Sequence, residues 1–294
     1  MTTAGQAVTE PVRRRRSGIP TPYLLLLPGL AWLAFFLLVP LVTLVSMSLQ
    51  SGSFATGYRL TFAFGNYPEA LSAYLLWYVR SFEYAGIATV AALLIGYPLA
   101  YAMAFKVGRF KYLLLVLVIA PFFTSFLVRT LAWTTILSDT GPVVGVFHSI
   151  GILGAQDRLL ATPFAVICGL TYNFLPFMTL PLYASLEKLD RRMIEAAGDL
   201  YASSFSTFRK VTFPLSLPGV VAGTLLTFIP AAGDFINAEL LGSPQTYMIG
   251  NVIQSQFLRT MDYPTAAALS VALIAMIIVL VAVYVRRAGT EELV

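Results

Sequence analysis

The sequence predicts an all-α, polytopic membrane protein with about six transmembrane helices. Three observations carry that expectation. Of 294 residues, 58% are hydrophobic and only 11% charged, against about a quarter charged in soluble domains. So few charges cannot cover a water-facing surface, and the apolar excess must face lipid. Six long stretches carry no charged residue, as expected where a charge at the bilayer centre costs roughly 2.5–3.5 kcal/mol. The basic residues between those stretches alternate in density, the pattern of loops on opposite sides of a membrane. This composition argues against a soluble enzyme, a disordered chain and a nucleic-acid binder.

The uncharged stretches are Ile19–Tyr58, Tyr84–Phe105, Tyr112–Val128, Leu159–Leu186, Val211–Gly233 and Tyr263–Val285. About 20 helical residues rise roughly 30 Å, the thickness of the hydrocarbon layer. The expected spans are therefore 23–49, 84–105, 112–131, 163–186, 215–236 and 263–285, within a transmembrane domain 19–287. The first run is too long for the apolar core of a signal peptide, and no small-residue cleavage site follows it, so it reads as a retained helix. Residues 1–18, with Arg13, Arg14, Arg15 and Arg16, are expected to form a basic cytoplasmic tail, and 288–294 a second one. With the N-terminus inside, fourteen of the 19 basic residues fall in inner segments and five in outer ones. Both termini are therefore expected in the cytoplasm.

The lone Cys168 and lone His148 leave no basis for a disulfide or for Cys- or His-based metal chemistry within the chain. Glycines and prolines punctuate the spans, among them Gly96, Pro98, Pro176, Pro181, Gly219, Gly223 and Pro230. Small residues let helices approach and prolines kink them. Three outer loops, about 50–82, 132–158 and 236–262, are long enough to form a cap.

The inner segment 187–214 carries the most information. Met193, Ile194, Ala197 and Leu200 recur at helical spacing, with Glu187, Lys188, Asp190, Arg191, Arg192 and Glu195 on the other side. Ser203 and Ser204 offer a cap for a second short helix over 205–210, and Pro214 and Pro218 set the start of the fifth span. Two short helices exposing charge and aromatics there must rest on lipid headgroups or dock on a protein.

This segment resembles the EAA loop of binding-protein-dependent ABC importer permeases, whose pattern is Glu-Ala-Ala, three residues, Gly, nine residues, Ile, one residue, Leu-Pro. Here it reads Glu195-Ala196-Ala197, Tyr201 in the glycine position, Val211, and Phe213-Pro214. Val211 and Phe213 are conservative departures, whereas Tyr201 departs from the glycine that makes the family's tight turn. The resemblance covers about residues 20–287. It implies that the segment is a coupling helix seated in a groove of a separate ATPase subunit, with Glu195, Ala196, Ala197, Asp199, Val211 and Pro214 as the coupling residues. It further implies two ATP-binding subunits holding ATP and Mg, a second homologous permease, an extracytoplasmic solute-binding protein and a plasma-membrane location. The chain has no Gly-x-x-x-x-Gly-Lys-Ser/Thr phosphate loop and no nucleophile–base set. No catalytic residue, bound cofactor or resident metal is therefore expected on it, and no nucleic-acid partner beside the lipid.

Residues 229–242, 248–253 and 96–104, with Leu27-Pro28-Gly29 and the stretch 129–133, are similar to permeases of the spermidine/putrescine type. Polyamines are extended cations that need carboxylates and aromatic faces along their path. The candidate path residues are Asp234, Glu239, Tyr97, Trp133, Tyr172 and Phe235. Asp234 leads because an ionisable group at a span end is expensive to place without use, with contact to the binding protein or an ion pair with Arg129 as rival roles. The same architecture importing an opine, an amino-acid derivative, thiamine or ferric ion is the alternative. An ion-gradient secondary transporter would need inverted repeats and a mid-membrane ionisable pair, neither of which the sequence displays, and a membrane scaffold would not need the EAA pattern.

Overall fold

The computed structural model describes residues 21–154 and 156–288. The expected tail 1–18 lies outside them, as do residues 289–294. Among the described residues the secondary structure is helical apart from one short hairpin. Four helices are long and apolar enough to cross a membrane, and six spans result when each of two bent helix pairs is taken as one.

Helix α1, Thr21–Ser48, exposes most of its side chains from Leu25 onward and packs chiefly against the last helix. Strands β1, Gln50–Ser53, and β2, Gly57–Leu60, follow as an antiparallel hairpin with Gln50 opposite Leu60. Asn66 Nδ2 then donates to the carbonyls of Ser48 and Gln50, both at 2.9 Å, and pins the end of α1 to the next helix.

Helix α2 runs from Asn66 to Phe105, 40 residues with a kink at Tyr74. Its rise of about 60 Å is twice the hydrocarbon thickness. The expected outer loop 50–82 is therefore helical from residue 66 onward. Glu69, Arg80 and Glu83 end an uncharged run without ending a helix, so charge marks where lipid stops and not where hydrogen bonding stops.

The expected continuous helix 112–131 is broken. Helix α3, Lys111–Ile119, passes through a single 3₁₀ turn, Ala120–Phe123, to α4, Phe126–Leu137, and α5, Pro142–Ser149. The two segments meet at 98°. Pro121 offers no N–H, Thr124 and Ser125 are non-helical, and Thr124 Oγ1 donates to the Pro121 carbonyl at 2.8 Å. The bend turns Arg129 inward, where it is 9% exposed.

Helix α6, Pro163–Glu187, is capped by Thr162, whose Oγ1 accepts from Ala165 N–H at 3.3 Å. The segment 187–214 holds α7, Arg191–Asp199, α8, Ser204–Thr207, a π-type turn, Phe208–Thr212, and α9, Phe213–Leu215. Helix α10, Leu217–Ala232, follows at 64° to the preceding turns. It stops at Gly233, short of the expected 236. The expected outer loop 236–262 contains α11, Ile236–Leu241, and α12, Ile249–Leu258, before α13, Tyr263–Ala288.

Helices α2, α6 and α10 form the centre of the bundle. Gly219 and Gly223, one turn apart on α10, make that packing close. A Cβ at Gly219 would lie 2.9 Å from the Pro181 carbonyl oxygen, and one at Gly223 2.9 Å from that of Met178. Both obstacles are α6 backbone, which cannot swing aside. This is small-residue helix packing as lipid favours it.

Candidate functional site

Two features stand out, one at each end of α10. The first is the segment 187–214. Asp190 caps α7, its Oδ1 accepting from Arg192 N–H at 3.0 Å, and Arg191 Nη2 donates to the Ala104 carbonyl at 3.1 Å, tying α7 to the end of α2. Helix α7 buries no residue, and Leu200, Tyr201 and Phe205 are 81%, 98% and 72% exposed. Charge and apolar area stand together on a surface that none of the described residues covers. Glu195, Ala196 and Asp199 are exposed, Ala197 and Val211 half-buried, and Pro214 exposed in α9.

The turn that ends α7 is a Schellman motif. Ala202 N–H donates to the Ala197 carbonyl at 3.0 Å and Tyr201 N–H to that of Gly198 at 2.9 Å. Tyr201 takes φ 58°, the left-handed conformation at which the family pattern has glycine. The tight turn thus forms at Tyr201, and Gly198 does not take it over.

The second feature is a polar network inside the bundle. Asn173 Nδ2 on α6 donates to Thr130 Oγ1 on α4 at 3.1 Å and to Asn237 Oδ1 on α11 at 3.0 Å. Asp234 Oδ1 accepts from the Asn237 backbone N–H at 2.8 Å and from Nδ2 at 3.1 Å. Asn173, Asn237 and Thr130 are at most 1% exposed, and Asp234 is 8% exposed. Arg129 packs over Phe126, and its Nε and Nη1 have no partner. The ion pair between Arg129 and Asp234 is not formed. The three ion pairs among the described residues are Lys111–Glu187, Arg158–Asp139 and Arg259–Glu239.

The structure brings some candidate path residues together and separates others. Trp133 on α4 and Tyr172 on α6 pack edge to face with centroids 5.4 Å apart, on the two helices that supply Thr130 and Asn173. Phe235 follows Asp234 and is partly exposed. Glu239 lies on α11 and pairs with Arg259. Tyr97 stands apart. Its hydroxyl hydrogen-bonds Ser216 Oγ at 2.7 Å and its ring packs on Phe208 and Phe213, so it anchors the 187–214 segment to α2. Asn173, Asn237 and Thr130 escaped the sequence reading because neutral amides and hydroxyls do not interrupt an uncharged run. The available signal was an asparagine in the middle of an otherwise apolar span.

A family model described as "Binding-protein-dependent transport system inner membrane component" matches residues 92–288. The chain belongs to this family. It is 42% identical over 259 residues to the spermidine/putrescine transport system permease protein PotB of Haemophilus influenzae, covering 87% of this chain and 90% of that protein. Against the protein of the same name from Escherichia coli it is 38% identical, covering 87% and 93%. A crystal structure of a bacterial alginate ABC transporter in complex with its pentasaccharide-bound periplasmic protein contains a chain that superposes with TM-score 0.67 at 18% identity, covering 92% of this chain and 95% of that one. This permease is accordingly an inner-membrane transport component of an ABC importer, all-α and polytopic.

Proposed function

We propose that this permease imports putrescine, spermidine or a similar small cation, with both termini in the cytoplasm and ATP hydrolysed on two separate ATP-binding subunits. The observation that carries the substrate is the 42% identity, across nearly the whole of both chains, to a permease named for spermidine and putrescine. The geometry is compatible. Asp234 offers a buried carboxylate whose Oδ1 is held by Asn237, beside helices that carry the Trp133–Tyr172 aromatic pair. An ammonium approaching it exchanges water for a carboxylate and ring faces. Phe235 borders the same position.

Helix α7 is the coupling element in this reading. A short helix with small side chains at Ala196, exposed, and Ala197, half-buried, and a charged anchor at Glu195 suits a groove in an ATPase, with Asp199, Val211 and Pro214 shaping the flanking turns. A second homologous permease covers the remaining exposed apolar faces, and a solute-binding protein delivers substrate at the opposite end. The chain works as a transport subunit and not as an enzyme, with ATP and Mg bound by the ATPase.

Reconstituting the complete complex in proteoliposomes and following labelled putrescine tests this. Uptake that needs ATP and falls at least tenfold in Asp234→Asn is expected. Full-affinity uptake in that variant would retire Asp234, and uptake of an opine or thiamine instead would replace the substrate.

A further inference from the structure

The outer part of α2 and the α11–α12 segment enclose a cavity of about 230 Å³ that the network around Asp234 does not use. Three aromatic side chains line it, Tyr74, Trp77 and Tyr247, together with Glu239, Asn251 and Arg259. Two of the rings are held in place. Tyr74 and Trp77 stand edge to face with centroids 5.5 Å apart, and Gln256 Nε2 donates to the Tyr74 hydroxyl at 2.7 Å.

The carboxylate is fixed at one oxygen and replaceable at the other. Asn251 is 3% exposed. Its Oδ1 accepts from Met248 N–H at 3.0 Å, and its Nδ2 donates to the Phe235 carbonyl at 2.9 Å and to Glu239 Oε2 at 3.3 Å. Glu239 Oε1 is held by Arg259 Nη2 at 3.2 Å, and the Arg259 side chain is 69% exposed. One partner of Glu239 is thus built into the fold, and the other is a guanidinium on a flexible stem at the rim. Exposed ion pairs of this kind are weak.

We propose that this cavity is a subsite for the terminal ammonium of an alkyl amine, and that Arg259 is the resident cation which the ammonium replaces. This inference rests on the proposed cationic substrate. A cavity lined by three aromatic rings and one carboxylate attracts an organic cation through the ring faces and the charge together. Exchange of one monovalent cation for another leaves the carboxylate compensated throughout, so no unpaired charge is exposed to a partly dry site. Asn251, which lines the cavity, also holds the Phe235 carbonyl next to Asp234.

The test uses the complete complex in lipid nanodiscs with 5-fluorotryptophan incorporated, the Trp77 ¹⁹F resonance being assigned by its loss in Trp77→Phe. The probes are 1-aminobutane, putrescine and, as the anionic control, butyrate. Both amines shift the Trp77 resonance saturably and butyrate does not. Arg259→Gln lowers the half-saturating amine concentration at least threefold, and Arg259→Ala, a second variant judged for assembly by gel filtration, does the same. Glu239→Gln abolishes the saturable shift. An amine response unchanged in Glu239→Gln, weaker binding in both Arg259 variants, or no amine response in the wild type would overturn the subsite. Putrescine uptake by the proteoliposomes without any Trp77 response would overturn the subsite alone, whereas a Trp77 response without putrescine uptake would overturn the transport reading alone.

Discussion

Asn237→Ala tests the buried network most sharply. The side chain is fully buried and makes two hydrogen bonds that alanine cannot, from Nδ2 to Asp234 Oδ1 at 3.1 Å and to Oδ1 from Asn173 Nδ2 at 3.0 Å. The backbone N–H bond to Asp234 survives, as does the Asn173 bond to Thr130. Side-chain hydrogen bonds inside membrane bundles average about 0.6 kcal/mol and reach about 1.7. Two such bonds give about 1–3.5 kcal/mol, and the carboxylate partner favours the upper half, because bonds to charged groups are the stronger ones. Unfolding by SDS titration in mixed micelles reads the difference, and a loss of about 2–3 kcal/mol is expected. Asn237→Leu, similar in volume, separates lost bonding from lost packing and is expected to lose as much. A change under about 0.5 kcal/mol in both variants would mean that the network does not hold α4, α6 and α11 together.

Glu195→Lys is expected to leave complex assembly and ATP hydrolysis measurable while transport falls at least tenfold, because a like or unpaired charge enters the docking groove; paired uptake and phosphate-release assays check it. Gly223→Val places side-chain carbon against the α6 backbone at Met178 and is expected to cost about 1–3 kcal/mol by overpacking, read as a lower midpoint in the same SDS titration. Tyr201→Gly removes a left-handed strain of about 1–2 kcal/mol, offset by about 0.5–1 kcal/mol of added backbone freedom. Hydrogen exchange of the Ala202 amide is expected to slow by up to about tenfold, whereas Tyr201→Ala, which keeps the Cβ, gives no slowing.

The sequence made the bundle legible because lipid imposes a coarse rule that charge obeys. The segments 84–105, 163–186 and 263–285 each fall within a long helix of the structure. What it obscured follows from the same rule. Glu69, Arg80 and Glu83 concealed the outer half of α2, since a helix can leave the bilayer and continue. Pro121 and Ser125 broke the third run inside an uncharged stretch, where hydropathy is blind to geometry. The two amphipathic turns of 187–214 were visible from Met193, Ile194 and Leu200 and from the Ser203 cap, which the structure uses, with Ser203 Oγ accepting from Ser206 N–H at 3.3 Å. The polar network was not visible, because Asn173 and Asn237 acquire meaning only when α6 and α11 come together. Tyr97 carries a related ambiguity. An aromatic at a membrane edge fits both a cation path and a packing role, and its contacts with Ser216 and Phe208 become visible only in the folded bundle.

In the proposed function, α7 meets a separate motor on the cytoplasmic side. A single cysteine at Ala196, introduced with Cys168→Ser in the otherwise complete complex, measures this directly. In sealed right-side-out vesicles it should resist a membrane-impermeant maleimide, and in opened vesicles a short bifunctional reagent should join it to the ATP-binding subunit. Labelling of that cysteine from outside the sealed vesicles, or failure to join the subunit once they are opened, would contradict the account.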